Sequence, residues 1–421
     1  MNAPARTASF STGNPHALAT ILEASETKRI IASTDIFDLS GIKLWARHQP
    51  VSQELQRKLL DRQLRQPLET CLRAEDGVNS YSLVKSLQTL LEQDTPLTQM
   101  LRKHADKLVR EAVQLPLHSV AQLLLTAGQA SRPESYEHAI QAMALNGALM
   151  IQNGGGLHDV RLAMLCGLLH DLGEMYIDPT YTEANAERAL DFRSYQQLVV
   201  HPHIGNLLLT QLTDYPRIVA QAIAEHHERL DGTGYPHGLQ KEQVSIHGKL
   251  LAVTEAALHV LRGDQPSMAR VSVSLRVVPG EFDLSWVGLI SRAANIQPAP
   301  SSTLSSEAIQ ARLNTIDNAI QEAQANATAL LVRAESESLK DALGLTQHLL
   351  SRLRVGWNAS GLWSRESVAS QDEAEIEAIE EEFLVRLRSI ERAAWLRAGT
   401  LSPADSQRLE LLCSSLINDL R

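Results

Sequence analysis

Histidines and carboxylates recur between residues 134 and 255 at spacings that a helix would bring to one face or to one end. Glu134 and His138 stand four residues apart in a helical pattern, so both side chains would lie on one face, one turn apart. His170 and Asp171 end a stretch, residues 160–169, that is apolar on nearly all sides, which indicates a buried helix. Because unpaired buried ionisable groups are costly, coordination of a cation is one way to satisfy this pair.

Further candidates follow along the chain. His201 precedes a proline suited to a first helical turn, and His203 is a candidate on spacing alone. His226 and His227 end a helical stretch; adjacent helical residues diverge by about 100°, so the two imidazoles would serve different ions or faces. Glu255 lies within an apolar segment where a core helix normally has no carboxylate.

Taken singly, each of these residues would be read as a cap or as a satisfied core group. Together, they form a set of nitrogen and oxygen donors on several helical segments, without the cysteines of a structural zinc site. Such donors suit iron, manganese or zinc. Two or three ions held close together would form a clamp for hydrolysis at phosphorus, with a bridging hydroxide as the nucleophile.

A loop that is too polar and too rich in glycine for a core follows the adjacent histidines. It reads Asp231-Gly232-Thr233-Gly234-Tyr235-Pro236, and glycine and proline at these positions predict a turn-rich conformation.

The ordered set of motifs from residue 131 to about 294 resembles the HD-GYP phosphodiesterases, a branch of the metal-dependent HD superfamily. The resemblance implies an all-helical domain, two or three divalent metal ions, often iron or manganese, and hydrolysis of the bacterial messenger cyclic di-GMP to pGpG or GMP. It further implies that the metal ligands are Glu134, His138, His170, Asp171, His201, His226, His227 and Glu255. The loop would contribute Asp231, Gly232, Gly234, Tyr235 and Pro236 to the substrate pocket, and it would offer a docking surface for GGDEF-type cyclases.

The chain departs from the family pattern at three positions. Glu174 stands where the family has a lysine that reaches the substrate phosphate. Asp171 and Glu174 are the candidate catalytic residues. Glu255 replaces an aspartate, and Lys249 replaces an arginine near the phosphates, which keeps the charge but loses the bidentate fork. Two functions therefore stay open: an active phosphodiesterase, or a catalytically weakened module that binds nucleotide or a protein partner. Hydrolysis of another phosphoester by the same centre is a third possibility that the sequence does not separate.

These motifs require helices to position them, and the chain is predicted to be mainly α. The expected organisation is a flexible leader over 1–27, an α+β regulatory module with linking helices over 28–130, the HD-GYP domain over 131–296 and a helical region over 301–421. In the last region, an apolar stripe at three- and four-residue spacing needs a partner helix, in the same chain or in a second copy as a homodimer. The stripe comprises Ile376, Ile379, Phe383, Leu387, Ile390 and Ala394.

Composition limits the remaining function classes. The 421 residues carry 39 basic and 49 acidic side chains, and a net charge of −10 argues against coating nucleic acid or an anionic membrane. The three cysteines are far apart, which excludes a disulfide framework. With no secretory signal and no apolar run of membrane-spanning length, we expect a soluble cytoplasmic protein of bacterial type.

Overall fold

The computed structural model describes residues 10–181, 196–263, 265–294, 305–361, 373–398 and 401–418, and these residues are mainly helical, as expected. They belong to two compact units. Unit 1 comprises residues 1–190, 197–227 and 244–254, and unit 2 comprises 191–196, 228–243 and 255–421. These units cut across the domain boundaries that the sequence patterns suggest, and those boundaries stay a prediction.

The amino-terminal part of unit 1 contains short strands, where the sequence has a β-like pattern. β1 (Ile30–Ala32) pairs antiparallel with β4 (Leu72–Ala74), and β2 (Ile36–Phe37) pairs antiparallel with β3 (Lys43–Trp45). The helices before and among the strands are α1 (Pro15–Ala24), α2 (Gln53–Leu59) and α3 (Leu68–Cys71). Ser52 is the N-cap residue of α2.

The expected flexible leader is wrong for residues 15–24, which form α1. Asn14 caps this helix through its side chain, which accepts from the amides of His16 and Ala17. Ala17, Leu18 and Ile21 are buried, so this short helix is held by packing that the polar composition of the leader does not reveal. Residues 1–9 of the leader lie outside the described residues.

The rest of unit 1 is built from packed helices. They are α4 (Ser80–Glu92), α5 (Pro96–Leu101), α6 (Ala105–Val113), α7 (Ser119–Ser131), α8 (Pro133–Gln152), α9 (Leu157–Leu169), α10 (His201–Leu212), α11 (Arg217–Glu225) and the first part of α12 (Ile246–Arg262).

Helices α8 and α9 form a close pair at the centre of unit 1. A Cβ on Gly167 of α9 would overlap the backbone carbonyl of Ala142 in α8, so only glycine permits this approach. Asn146 of α8 donates to the carbonyl of Ala163 at 3.1 Å and accepts from the hydroxyl of Thr254 at 2.5 Å. One buried amide thus joins α8, α9 and α12.

Unit 2 contains α13 (Met268–Ser274), α14 (Leu284–Ala294) and four longer helices: α15 (Ser306–Arg333), α16 (Glu337–Ser360), α17 (Glu373–Ala398) and α18 (Pro403–Asn418). The apolar stripe of α17 packs into the core that these four helices share, so the expected partner surface lies in the same chain. The rings of Trp357 and Phe383 meet edge to face at its centre, with centroids 5.2 Å apart. Among the described residues, no helix combines the length and the apolar character needed to cross a bilayer.

We expect Trp357→Ala to destabilise unit 2 by about 3–5 kcal/mol, because it removes a fully buried ring and leaves a cavity. Val355→Ala is the control on the same helix, since Val355 is 47% exposed, and it should change stability by less than about 0.5 kcal/mol. Denaturant unfolding followed by circular dichroism measures both. Equal shifts in the two variants would contradict the assigned core.

Candidate metal centre

Three buried imidazoles are oriented by backbone carbonyls three residues earlier in the chain. The Nδ1 atoms lie 2.6–2.8 Å from these oxygens, in the pairs His170 with Gly167, His201 with Leu198, and His226 with Ile223. A carbonyl oxygen only accepts, so each Nδ1 carries the proton. Each Nε2 therefore presents a lone pair when the ring is neutral, which is the form that binds metal.

The Asp171 carboxylate lies between two pairs of these rings. Its Oδ2 is 3.0 Å from Nε2 of His170 and 3.6 Å from Nε2 of His138. Its Oδ1 is 3.4 Å from Nε2 of His201 and 3.5 Å from Nε2 of His226. Each oxygen thus faces a different pair of histidines, an arrangement that lets one carboxylate serve two neighbouring ions.

Two groups of donor atoms result, each with all its members within 4.8 Å of one another. One contains His138, His170 and Asp171, and the other contains the next three histidines, His201, His226 and His227. Within the second group, the Nε2 atoms of His201 and His226 are 3.0 Å apart, although both rings carry their protons on Nδ1. Two facing lone pairs repel, and a cation between them removes this repulsion.

The charge states of these groups suit a cation. Burial, and then the charge of His227, lowers the pKa of His226 to about 3 against the opposing effect of Asp171, so this ring is neutral near pH 7. Burial alone would raise the pKa of Asp171, but its electrostatic interactions with the surrounding imidazoles, His170 first, hold it well below its ordinary value. A neutral imidazole and an ionised carboxylate are the ligand forms that metal binding requires.

The donor set fits a divalent transition-metal ion. Asp171 Oδ1 is buried and makes no hydrogen bond of standard geometry with the described residues, which leaves it available as a ligand. Cys166 lies one turn before His170 on α9, but burial raises the pKa of its thiol, so it does not supply a thiolate. Imidazole nitrogen and carboxylate oxygen remain, as in iron, manganese and zinc sites.

The two remaining predicted ligands differ in their exposure. Glu134 is exposed in the first turn of α8, one turn before His138 and outside both groups. Glu255 follows Thr254 directly on α12; it is 3% exposed and lies 3.4 Å from Nη2 of Arg262. Their ligand roles stay predictions. His203 is exposed near the start of α10.

A short 3-10 helix, Leu172–Tyr176, connects Asp171 to the remainder of unit 1. A Cβ on Gly173 would overlap the carbonyl oxygen of His201, so glycine is needed for this segment to lie against the start of α10. The amino-terminal part of unit 1 holds the same segment, since the Tyr176 hydroxyl donates to Glu69 at 2.6 Å and Asn14 donates to the Tyr176 carbonyl at 3.1 Å.

Glu174 is buried in this 3-10 helix, 3% exposed, and its charge is opposed by Arg132. Burial lowers the pKa of Arg132, and the negative charge of Glu174 is the largest effect that raises it. The guanidinium donates to the Glu174 carbonyl at 3.0 Å and to Thr20 Oγ1 of α1 at 2.9 Å. Sequence reasoning missed Arg132, because a single arginine before a helix carries no signal of this long-range contact.

The glycine-rich loop lies in unit 2 and is folded on itself. Asp231 Oδ1 accepts from the amide and the hydroxyl of Thr233 at 3.1 and 2.7 Å, and Gly232 adopts a φ of 83°. The buried Glu228 accepts from the amides of His237 and Leu239 at 2.7 and 2.9 Å. The substrate roles of Asp231, Gly232, Gly234, Tyr235 and Pro236, and of the half-buried Lys249 on α12, stay predictions.

Comparison with known proteins identifies residues 78–275 as matching the family described as HD domain. The chain is 33% identical over 165 residues to a cyclic di-GMP phosphodiesterase of Pseudomonas aeruginosa, which is 39% of each protein. It is 23% identical over 201 residues to 3'3'-cGAMP-specific phosphodiesterase 1 of Vibrio cholerae, covering 44% of this chain and 46% of that protein. A cyclic di-GMP phosphodiesterase of Thermotoga maritima is 27% identical over 160 residues, 37% of this chain and 42% of that protein. The chain thus spans less than half the length of each of these relatives.

We expect Asp171→Asn to lower divalent-metal affinity about 100-fold or more, because it removes the charge that faces both groups of histidines. His203→Ala is the matched control, since His203 is exposed and lies outside both groups. Elemental analysis after anaerobic loading should give at least two ions per wild-type chain, fewer in Asp171→Asn and no change in the control. Equal content in all three proteins would contradict the assignment.

We expect Glu174→Lys to cost about 3 kcal/mol of stability, because it places a buried cation near the half-buried Arg132. Glu174→Gln should cost less, since it removes the attraction without adding repulsion. Thermal unfolding of the two variants and of Arg132→Gln/Glu174→Gln tests the pairing. If Glu174→Lys is as stable as the wild type, Arg132 does not oppose Glu174.

Proposed function

We propose, from the match of residues 78–275 to the HD-domain family and from the named relatives, that the chain is a metal-dependent phosphohydrolase that hydrolyses cyclic dinucleotides of the cyclic di-GMP class. The observation that carries the proposal is the Asp171 carboxylate, whose two oxygens face separate pairs of buried histidines. The names of the relatives support the substrate class, and the donor chemistry supports hydrolysis at phosphorus.

In this proposal, His138, His170 and Asp171 would hold one ion, and His201, His226 and His227 would hold a second with the help of Asp171. Glu255 is proposed to complete the first group because it is buried on α12, directly after the residue that Asn146 anchors. Glu134 is proposed to reach an ion from the first turn of α8. Iron or manganese fits this set of donors. When bound, such ions polarise the phosphoryl group and activate water for attack.

The residues of the chain prepare this chemistry in three ways. The carbonyls behind His170, His201 and His226 fix their rings, so these donors need little reorganisation on binding. These three rings are also fully buried, which excludes bulk water and strengthens electrostatic interactions with a bound phosphate. Lys249 provides a point charge for a phosphate from α12, without the fork of an arginine.

We favour the active enzyme over a catalytically weakened module because the relatives are named as phosphodiesterases. An isolated carboxylate beside the proposed metal ligands would repel a substrate that carries two phosphodiester charges. Glu174 is instead buried, and Arg132 donates to its backbone carbonyl at 3.0 Å. We therefore assign Glu174 a role in holding the segment after Asp171 and not a role in binding phosphate. A GGDEF-type cyclase at the loop, a homodimer and a cytoplasmic location remain predictions.

The test is hydrolysis of cyclic di-GMP and of 3'3'-cGAMP by protein loaded anaerobically with iron or manganese, with linear products separated by chromatography. Wild type and His203→Ala should form the linear dinucleotide. His226→Ala should be slower by about 100-fold or more, because it removes a donor from the second group. A fully loaded wild type that binds either nucleotide without forming product would instead support the weakened module.

A further inference from the structure

The glycine-rich loop is held from outside by helix α16 of the carboxy-terminal region. Nε of Arg352 lies 3.4 Å from Asp231 Oδ2, and Nε2 of His348 lies 3.3 Å from the Asp231 carbonyl oxygen. Arg352 and His348 are four residues apart, so they project from one face of α16. Both partners on Asp231 therefore move together with that helix.

Asp231 links this helix to the conformation of the loop. Its side chain is only 5% exposed, so it depends on partners in the protein. One oxygen accepts both hydrogen bonds from Thr233 that shape the turn, and the other oxygen faces Arg352. Loss of Arg352 would leave half of a buried carboxylate without its cation, in the residue on which the turn depends.

A turn at residues 279–282 extends the contact. Arg352 also donates to the carbonyl of Pro279, and the carbonyl of Glu281 accepts from the amide of Leu230 at 2.9 Å. The buried Glu281 carboxylate lies 3.5 Å from Arg229 and 3.1 Å from Arg386 of α17. The two residues before Asp231, Arg229 and Leu230, are thus connected through this turn to α16 and α17.

We propose that the carboxy-terminal helices set the conformation of the glycine-rich loop, with Arg352 as the positioning residue that acts through Asp231. The inference rests on the proposed function only in that the loop is the proposed substrate-binding segment. A partner or ligand that rotates or displaces α16 would move Arg352 and His348 together, and it would change substrate affinity without altering the metal ligands.

Arg354 provides a matched control on the same helix. It pairs with Asp317 of α15 and lies 3.4 Å from Gln324, so it faces α15 and not the loop. Arg352→Ala and Arg354→Ala therefore each remove an ion-paired arginine from α16. Only the first should alter the loop.

The experiment compares wild type, Arg352→Ala, Arg352→Lys and Arg354→Ala as full-length, metal-loaded proteins. Arg352→Ala should raise KM for cyclic di-GMP about 10-fold, with kcat within about 3-fold and unchanged metal content, because one charge-assisted contact is lost. It should also speed amide hydrogen exchange in peptides covering residues 229–240. Arg352→Lys should partly restore the wild-type KM and the slow exchange of the loop. Arg354→Ala should match the wild type in KM and in loop exchange.

Hydrogen exchange keeps this inference separate from the proposed function. If wild type does not hydrolyse the nucleotide, the proposed function fails, while faster loop exchange in Arg352→Ala alone still supports the positioning role. Unchanged loop exchange in Arg352→Ala, or the same increase in Arg354→Ala, would overturn it. A fall in metal content in Arg352→Ala would also overturn it, since the effect would then not be confined to the loop.

Discussion

The repulsion between neutral imidazoles that face one another around a buried carboxylate is the constraint that the packing of unit 1 must overcome. His201 and His226 present lone pairs to each other at 3.0 Å, and Asp171 Oδ1 lies within 3.5 Å of both. This arrangement does not by itself stabilise any helix. It persists because the surrounding helices bury enough apolar surface to hold these groups in place, and a bound cation would relieve it.

The helices hold these donor side chains close together because their backbones approach one another closely. Gly167 lets α9 lie against the α8 backbone, which brings His170 toward His138, and Gly173 lets the segment after Asp171 lie against His201. Asn146 then connects both helices to α12, just before Glu255. The apolar packing and the donor positions are therefore coupled, because small residues at the close contacts determine how near the donor side chains lie to one another.

Local patterns were enough to predict the helical class and the need of the α17 stripe for a partner helix. They also singled out the histidines and Asp171 that lie together in the two donor groups, and the ligand roles of these residues stay predictions. They were not enough for contacts between distant segments. Arg132 opposes Glu174 across 42 residues, and Arg352 reaches Asp231 across 121. Neither pair has a periodicity that a single sequence shows. The α1 helix was missed for a related reason, because its stability comes from tertiary burial and not from its polar surroundings.

The carbonyls that orient His170 and His226 belong to the last turns of α9 and α11, where a helix has no amide of its own to offer them. Each of these imidazoles therefore caps a helix with Nδ1 and leaves Nε2 to face the other donors of its group. Exchange for alanine removes the cap together with the donor, so part of its effect arises at the helix end. An asparagine side chain is shorter, but its amide can still donate to the carbonyl. Comparing the alanine and asparagine variants would therefore separate the free energy of helix capping from the free energy of cation binding.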